Sequence, residues 1–146
     1  MSITWDYPQS FILPVQVEQH HIDDLNHTNN GVYTGWCEQI AWAHSAELGL
    51  TGKDYRELNI AMAIHEANYQ YLAPSFLGED IAVATWLTAC DGRLTMQRSF
   101  QMINQKTGQT LFRGQWQLVC INLSTNKPTR MPKIFIDTYV SAVVTD

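Results

Sequence analysis

Cysteine is scarce in the 146-residue chain and poorly spaced for chemistry: Cys37, Cys90 and Cys120 form an odd set without a Cys-x-x-Cys pair. That argues against a disulfide framework or a zinc ribbon and points to a reducing compartment. Long apolar runs are missing as well. Nothing approaches the roughly 18 residues needed to cross a bilayer, and MSITWDYPQS has no basic region followed by an apolar stretch. The expectation is a soluble, cytoplasmic protein. Positive charge is in short supply, with 9 Lys and Arg against 14 Asp and Glu, which disfavours a broad nucleic-acid-binding surface. Repeats, low-complexity tracts, Gly-x-Ser-x-Gly, P-loop and dinucleotide fingerprints are also lacking.

What is present is apolar material in quantity: 45% of the chain is hydrophobic and 16% charged, enough for a core without metal or disulfide staples. No linker divides the chain, so residues 1–146 are expected to form one domain. FILPVQVEQHH alternates as a first strand, with Pro14 marking an edge. VYTGWCEQIAWAHSAEL then places apolar side chains on more than half of a helix, which Asn29 or Asn30 can cap and Gly49 can end. Its polar remainder, Glu38, Gln39, Ser45 and Glu47, is too sparse for a freely solvated helix, so it should lie against or inside a sheet.

After a loop, TGKDYREL, the period changes from 3.6 to 2. Four strands are expected in NIAMAIHEANYQYL, EDIAVATWLTAC, RLTMQRSFQMIN and TLFRGQWQLVCIN, with turns at Gly78, Asp91-Gly92 and QKTGQ. In the third of these, Leu94, Met96, Phe100 and Met102 oppose Thr95, Gln97, Ser99 and Gln101, as a sheet covered on one side requires. A short helix after Pro132 should dock Ile134, Phe135 and Tyr139. The sum is an α+β architecture, one long helix partly wrapped by an antiparallel sheet of about five strands. Its open edge would be relieved by dimerisation.

The densest polar cluster, His20, His21, Asp23, Asp24, Asn26, His27, Asn29 and Asn30, stands directly before the apolar helix. Helix N-termini present unpaired amides and about half a positive charge, suited to polarising a carbonyl. A carboxylate just upstream, Asp23 or Asp24, can attack that carbonyl or activate water. Acyl transfer is therefore chemically possible here. The plain alternative is capping by Asn and Asp beside solvated histidines. Zinc has ligand types available in His20, His21, His27 and Asp23, but no helical His-x-x-x-His or cysteine partner, and no metal is expected. Cys37 reads as a small buried hydrophobe, and His44 and His65 as satisfied core or interface residues.

The run Asp23-Asp24-Leu25-Asn26-His27-Thr28-Asn29-Asn30-Gly31-Val32-Tyr33, continuing to Trp36 and Glu38, resembles the signature of hot-dog-fold thioesterases related to 4-hydroxybenzoyl-CoA thioesterase. NYQYLAPSFLGEDIAV and CINLSTNKPTRMP are similar to that family's inter-strand turn and its final strand and tail. Asn26 departs from the family's usual glycine, which the left-handed tolerance of Asn permits. His21 stands where many members have an acidic residue. The resemblance implies a hot-dog fold and hydrolysis of an acyl-CoA thioester. Asp23 would be nucleophile or general base, and the Asn30 or Gly31 amide would polarise the thioester oxygen. His27 and Tyr33 would organise the turn and line the cavity, and Glu38 could orient water. It further implies a homodimer or homotetramer with sites at the interface, and no cofactor beyond the CoA of the substrate. The CoA phosphates call for cations, for which Lys127, Arg130 and Lys133 are the candidates, with Lys53 and Arg56 a smaller group. An acyl-carrier-protein thioesterase and a non-catalytic acyl-CoA-binding or oligomerising module are the alternatives.

Overall fold

The computed structural model describes residues 3–145, so residues 1, 2 and 146 of the expected span lie outside it. The elements in chain order are β1 (Phe11–Gln16), a 3-10 turn (Gln19–His21), α1 (Asn30–Leu48), α2 (Gly52–Leu58), β2 (Ile60–Tyr71), β3 (Asp80–Cys90), β4 (Thr95–Asn104), β5 (Thr110–Asn122) and α3 (Lys133–Phe135), which runs on into a wider π turn (Ile136–Val140). The five strands form one antiparallel sheet in the order β1-β3-β4-β5-β2. This is the α+β hot-dog arrangement. Pro14, which cannot donate to a ladder, sits on the edge strand β1.

Helix α1 packs its Tyr33, Trp36, Cys37, Ile40 and Ala41 into the core with Phe100, Phe112, Trp116 and Leu118 of the sheet. Asn29 caps it by accepting from the Gly31 amide at 2.9 Å, and Gly49 closes it with a φ of 107° that a residue with a Cβ would resist. Burial pushes the Cys37 thiol far up, leaving it an inert hydrophobe.

Three expectations need correction. TGKDYREL is largely helix α2, because Thr51 and Asp54 form a reciprocal capping box. Ser45, one of the few polar residues of α1, is buried, which narrows its polar face further; its hydroxyl donates to the Leu50 carbonyl at 2.7 Å and meets the Tyr139 hydroxyl at 2.8 Å. The polar face of β4 is covered too: Ser99 and Gln101 are buried. An N-terminal arm lies over that face, where the Asp6 amide donates to Gln101 at 2.9 Å, Asp6 accepts two bonds from Arg113, and Trp5 and Tyr7 pack on Trp86. Such an arm has no periodicity to announce it. In the tail, Phe135 and Tyr139, four residues apart, share one helical face and dock, whereas Ile134 lies off that face and stays exposed.

Candidate active site

Residues 18–30 carry few apolar side chains, so their shape is set by hydrogen bonds. The Asp23 amide donates to the His27 carbonyl at 2.9 Å, Asn29 donates to the His21 carbonyl at 2.8 Å, and Ile22 pairs with Thr28 as an isolated bridge. Oδ1 of Asp23 accepts from the amides of Leu25 at 2.9 Å and His27 at 3.2 Å, an Asx turn. Asn26 turns the corner at φ 63°, the left-handed conformation that its side chain tolerates. The loop is thereby folded back against the start of α1.

One side chain missing from the sequence reading holds this loop to the body. Ser75, fully buried between β2 and β3, accepts from Tyr33 and donates to Thr28, each at 2.7 Å, while the Thr28 amide and hydroxyl donate to the Ser75 carbonyl at 2.9 and 3.2 Å. With one proton per hydroxyl, the chain of donation runs Tyr33 to Ser75 to Thr28 and back to the Ser75 backbone. Burial pushes the Tyr33 phenol up from its ordinary value. Tyr33 is therefore a neutral structural donor. Sequence offered only a weak signal for Ser75, a small polar residue in a loop.

Asp23, His27, Asn30 and Tyr33 all line one cleft of about 410 Å³, closed on the far side by Tyr71, Leu72, Ala73 and Pro74. Asp23 Oδ2 has no partner among the described residues. The two candidate amides are not equivalent. Gly31 N–H is occupied by the Asn29 cap, whereas the Asn30 amide has no acceptor among the described residues and stands at the positive end of a 19-residue helix. The cleft thus combines a carboxylate oxygen with a free helix-terminal donor. His27 sits edge-on to Phe76, with ring centroids 5.3 Å apart. His21 holds the preceding turn, its Nδ1 accepting from the Glu18 amide; burial and then the neighbouring His20 lower its pKa.

Other candidates lie elsewhere. Glu38 lines a different cavity beneath α1, eight residues and about 12 Å along the helix from Asn30. Lys127, Arg130 and Lys133 also stand apart from the cleft within this chain. The turn holding Lys127 is bonded to Asn122, opposite Ile60, whereas the cleft is at the Tyr71 end of β2. Eleven strand steps separate those ends, about 36 Å. Lys133 is paired with Asp137 at 2.6 Å. His65 is exposed on the edge strand β2, which removes the core half of its core-or-interface reading and leaves the interface half. Among the described residues no group of three or more His, Cys, Asp or Glu is arranged to hold a metal ion, and no helix is long and apolar enough to cross a membrane.

A family model described as the thioesterase-like superfamily matches residues 17–138. No curated protein matches the chain significantly in sequence. Among solved structures, a 1,4-dihydroxy-2-naphthoyl-CoA thioesterase from Synechocystis superposes with a TM-score of 0.80 at 17% identity, over 90% of this chain and 96% of the other. A Staphylococcus aureus protein solved in complex with CoA gives 0.83 at 20% identity, over 99% and 92%. A 12:0-ACP thioesterase from Umbellularia californica gives 0.83 at 15% identity, over 94% of this chain and 51% of that one.

Proposed function

The chain belongs to the thioesterase-like superfamily, whose chemistry is thioester hydrolysis, and on that premise we propose that it cleaves an acyl-CoA to the free acid and CoA with Asp23 as the working carboxylate. The observation that carries this reading is the pairing, on one cleft, of Asp23 with the uncommitted Asn30 amide. A thioester carbonyl oxygen placed on that amide gains a hydrogen bond and the helix field as negative charge develops. Oδ1 fixes the loop, and Oδ2 is left to attack the carbonyl carbon or to take a proton from water. Tyr33 and His27 shape the cleft rather than exchange protons.

The site is completed by a second copy of the chain. β2 is an edge strand paired only to β5, and Ile64 to Asn68 in its middle are exposed. Leu25, Tyr71, Leu72 and Phe76 leave apolar surface around the cleft. Two copies paired antiparallel along β2 would bring the Ile60 end of each against the Tyr71 end of the other. The basic turn at Lys127 and Arg130 would then come to the mouth of the neighbouring cleft, where CoA phosphates need it.

The test is thiol release from a panel of acyl-CoA and acyl-carrier-protein thioesters by wild type and Asp23→Asn. Asn keeps an oxygen for the Leu25 and His27 amides, so the loop should survive while turnover falls about 10²- to 10⁴-fold. Equal rates in the two proteins would overturn the assignment. Turnover confined to carrier-protein substrates would move the substrate class, and tight binding without turnover would favour a binding module.

A further inference from the structure

Beneath α1, away from Asp23, lies a second cavity of about 270 Å³, walled mainly by Ala41, Trp42, Met62, Met96, Trp116 and Leu118. Arg98 of β4 also lines it and is 3% exposed. A buried guanidinium is normally neutralised by a carboxylate, since leaving its charge unpaired is costly. Here no carboxylate pairs with it among the described residues. Its Nη1 donates to His44 Nδ1 at 2.9 Å and to Thr85 Oγ1 at 3.2 Å. Both acceptors are neutral, for burial and then Arg98 itself hold His44 down at about 4. Nε and Nη2 have no acceptor among the described residues.

The hydroxyls nearby do not supply the missing charge. Ser45 donates to the Leu50 carbonyl, and the Tyr139 hydroxyl is bonded to those of both Ser45 and Tyr55. Burial, first of all, raises the pKa of both phenols, so they stay neutral. Glu38 also lines the cavity, but it is exposed and forms no ion pair with Arg98. The cavity therefore has a mainly apolar wall, committed hydroxyls, one exposed carboxylate at Glu38, and one buried cationic fork with donors to spare.

We propose that this cavity is an anion-binding site in which Arg98 takes the carboxylate of a compact, mostly apolar acid. A carboxylate matches the fork in shape and charge, and the apolar wall selects what it is attached to. The volume corresponds to roughly nine water-sized atoms, so the apolar part is small. The carboxylate has two possible sources, a free acid or the far end of an acyl group that carries a second carboxyl.

Calorimetric titration tests the site without reference to hydrolysis. Phenylacetate and hexanoate are compared with phenylacetamide and hexanamide, on wild type, Arg98→Met and Ala41→Leu. Wild type should bind the acids at least tenfold more tightly than the amides. Arg98→Met, which replaces a buried charge with an apolar chain of similar length, should abolish the difference. Ala41→Leu leaves the arginine in place and fills the cavity, so it should weaken the acids at least tenfold and serves if the methionine variant does not fold. Equal affinity for acids and amides, no binding of either, or a preference that persists in both variants would overturn the proposal. Kinetics with a dicarboxylic mono-CoA thioester against a monocarboxylic one then separates the sources: an Arg98-dependent preference assigns the carboxylate to the substrate, and no preference assigns it to the free acid. Because calorimetry needs no turnover, an inactive protein that binds acids through Arg98 would refute the thioesterase reading alone.

Discussion

Replacing Ser75 by alanine tests whether the loop bearing Asp23 is held by the buried hydroxyl relay. In the native protein the Tyr33 hydroxyl donates to Ser75, and Ser75 donates to Thr28, both at 2.7 Å with all three residues at most 3% exposed. Alanine leaves the Tyr33 donor without any partner, a penalty of about 1–3 kcal/mol for a buried unsatisfied group. Thr28 loses less, because it still donates to the backbone carbonyl at position 75. The sum is about 2 kcal/mol, which for a chain of this size lowers Tm by roughly 6–8 °C. Removing both ends relieves the orphan. Tyr33→Phe with Ser75→Ala should therefore cost about 0.5–3 kcal/mol less than the sum of the two single changes. Urea and thermal melts of the four proteins close the cycle. Strict additivity, or a single Ser75→Ala cost below about 0.5 kcal/mol, would refute the donation scheme. Thiol release assayed well below Tm should also fall, by up to about 100-fold if the loop shifts by an ångström.

Three further outcomes follow from local geometry. Asn26→Gly should leave stability nearly unchanged, whereas Asn26→Val, forced to the same φ of 63°, should cost about 1–2 kcal/mol in urea denaturation. His44 is held at about 4 in the fold, by burial and then by Arg98, against an ordinary 6.5. The unfolded chain therefore takes up that proton first, so stability is full above pH 6.5 and declines as pH falls toward 4. His44→Gln, which keeps an acceptor but does not titrate, should flatten that decline in urea midpoints measured at pH 7 and 4.5. Ile64→Lys, on the exposed stretch of β2, should shift the sedimentation coefficient toward monomer and reduce thiol release in parallel. An unchanged coefficient would count against assembly along β2.

Much of the scaffold could be read from pattern. The four long strands fall within the four runs of strand-like pattern, and α1 begins at Asn30 and ends before Gly49 as its flanking residues require. Asn26 does adopt the left-handed corner expected of it. What escaped reading depended on contacts between residues far apart in sequence. Ser75 meets Thr28 and Tyr33 across 47 and 42 positions, and Arg98 meets His44 across 54; no spacing rule reports such encounters. The choice between the Asn30 and Gly31 amides was equally hidden, since it turns on which of them the Asn29 carboxamide satisfies. The basic tail was visible as composition, but its position opposite Ile60 follows only from the β2–β5 register.

The N-terminal arm limits how assemblies larger than a pair could be built. Arg113 clasps Asp6 with two bonds of 2.7 and 2.9 Å, and Trp5 and Tyr7 rest on Trp86, so part of the sheet face turned away from α1 is already covered by residues 5–7. Stacking two such faces into a tetramer would require peeling the arm away or accommodating it as a spacer. Shortening the chain past Tyr7 would remove both rings that rest on Trp86 and bare an apolar surface that the arm covers.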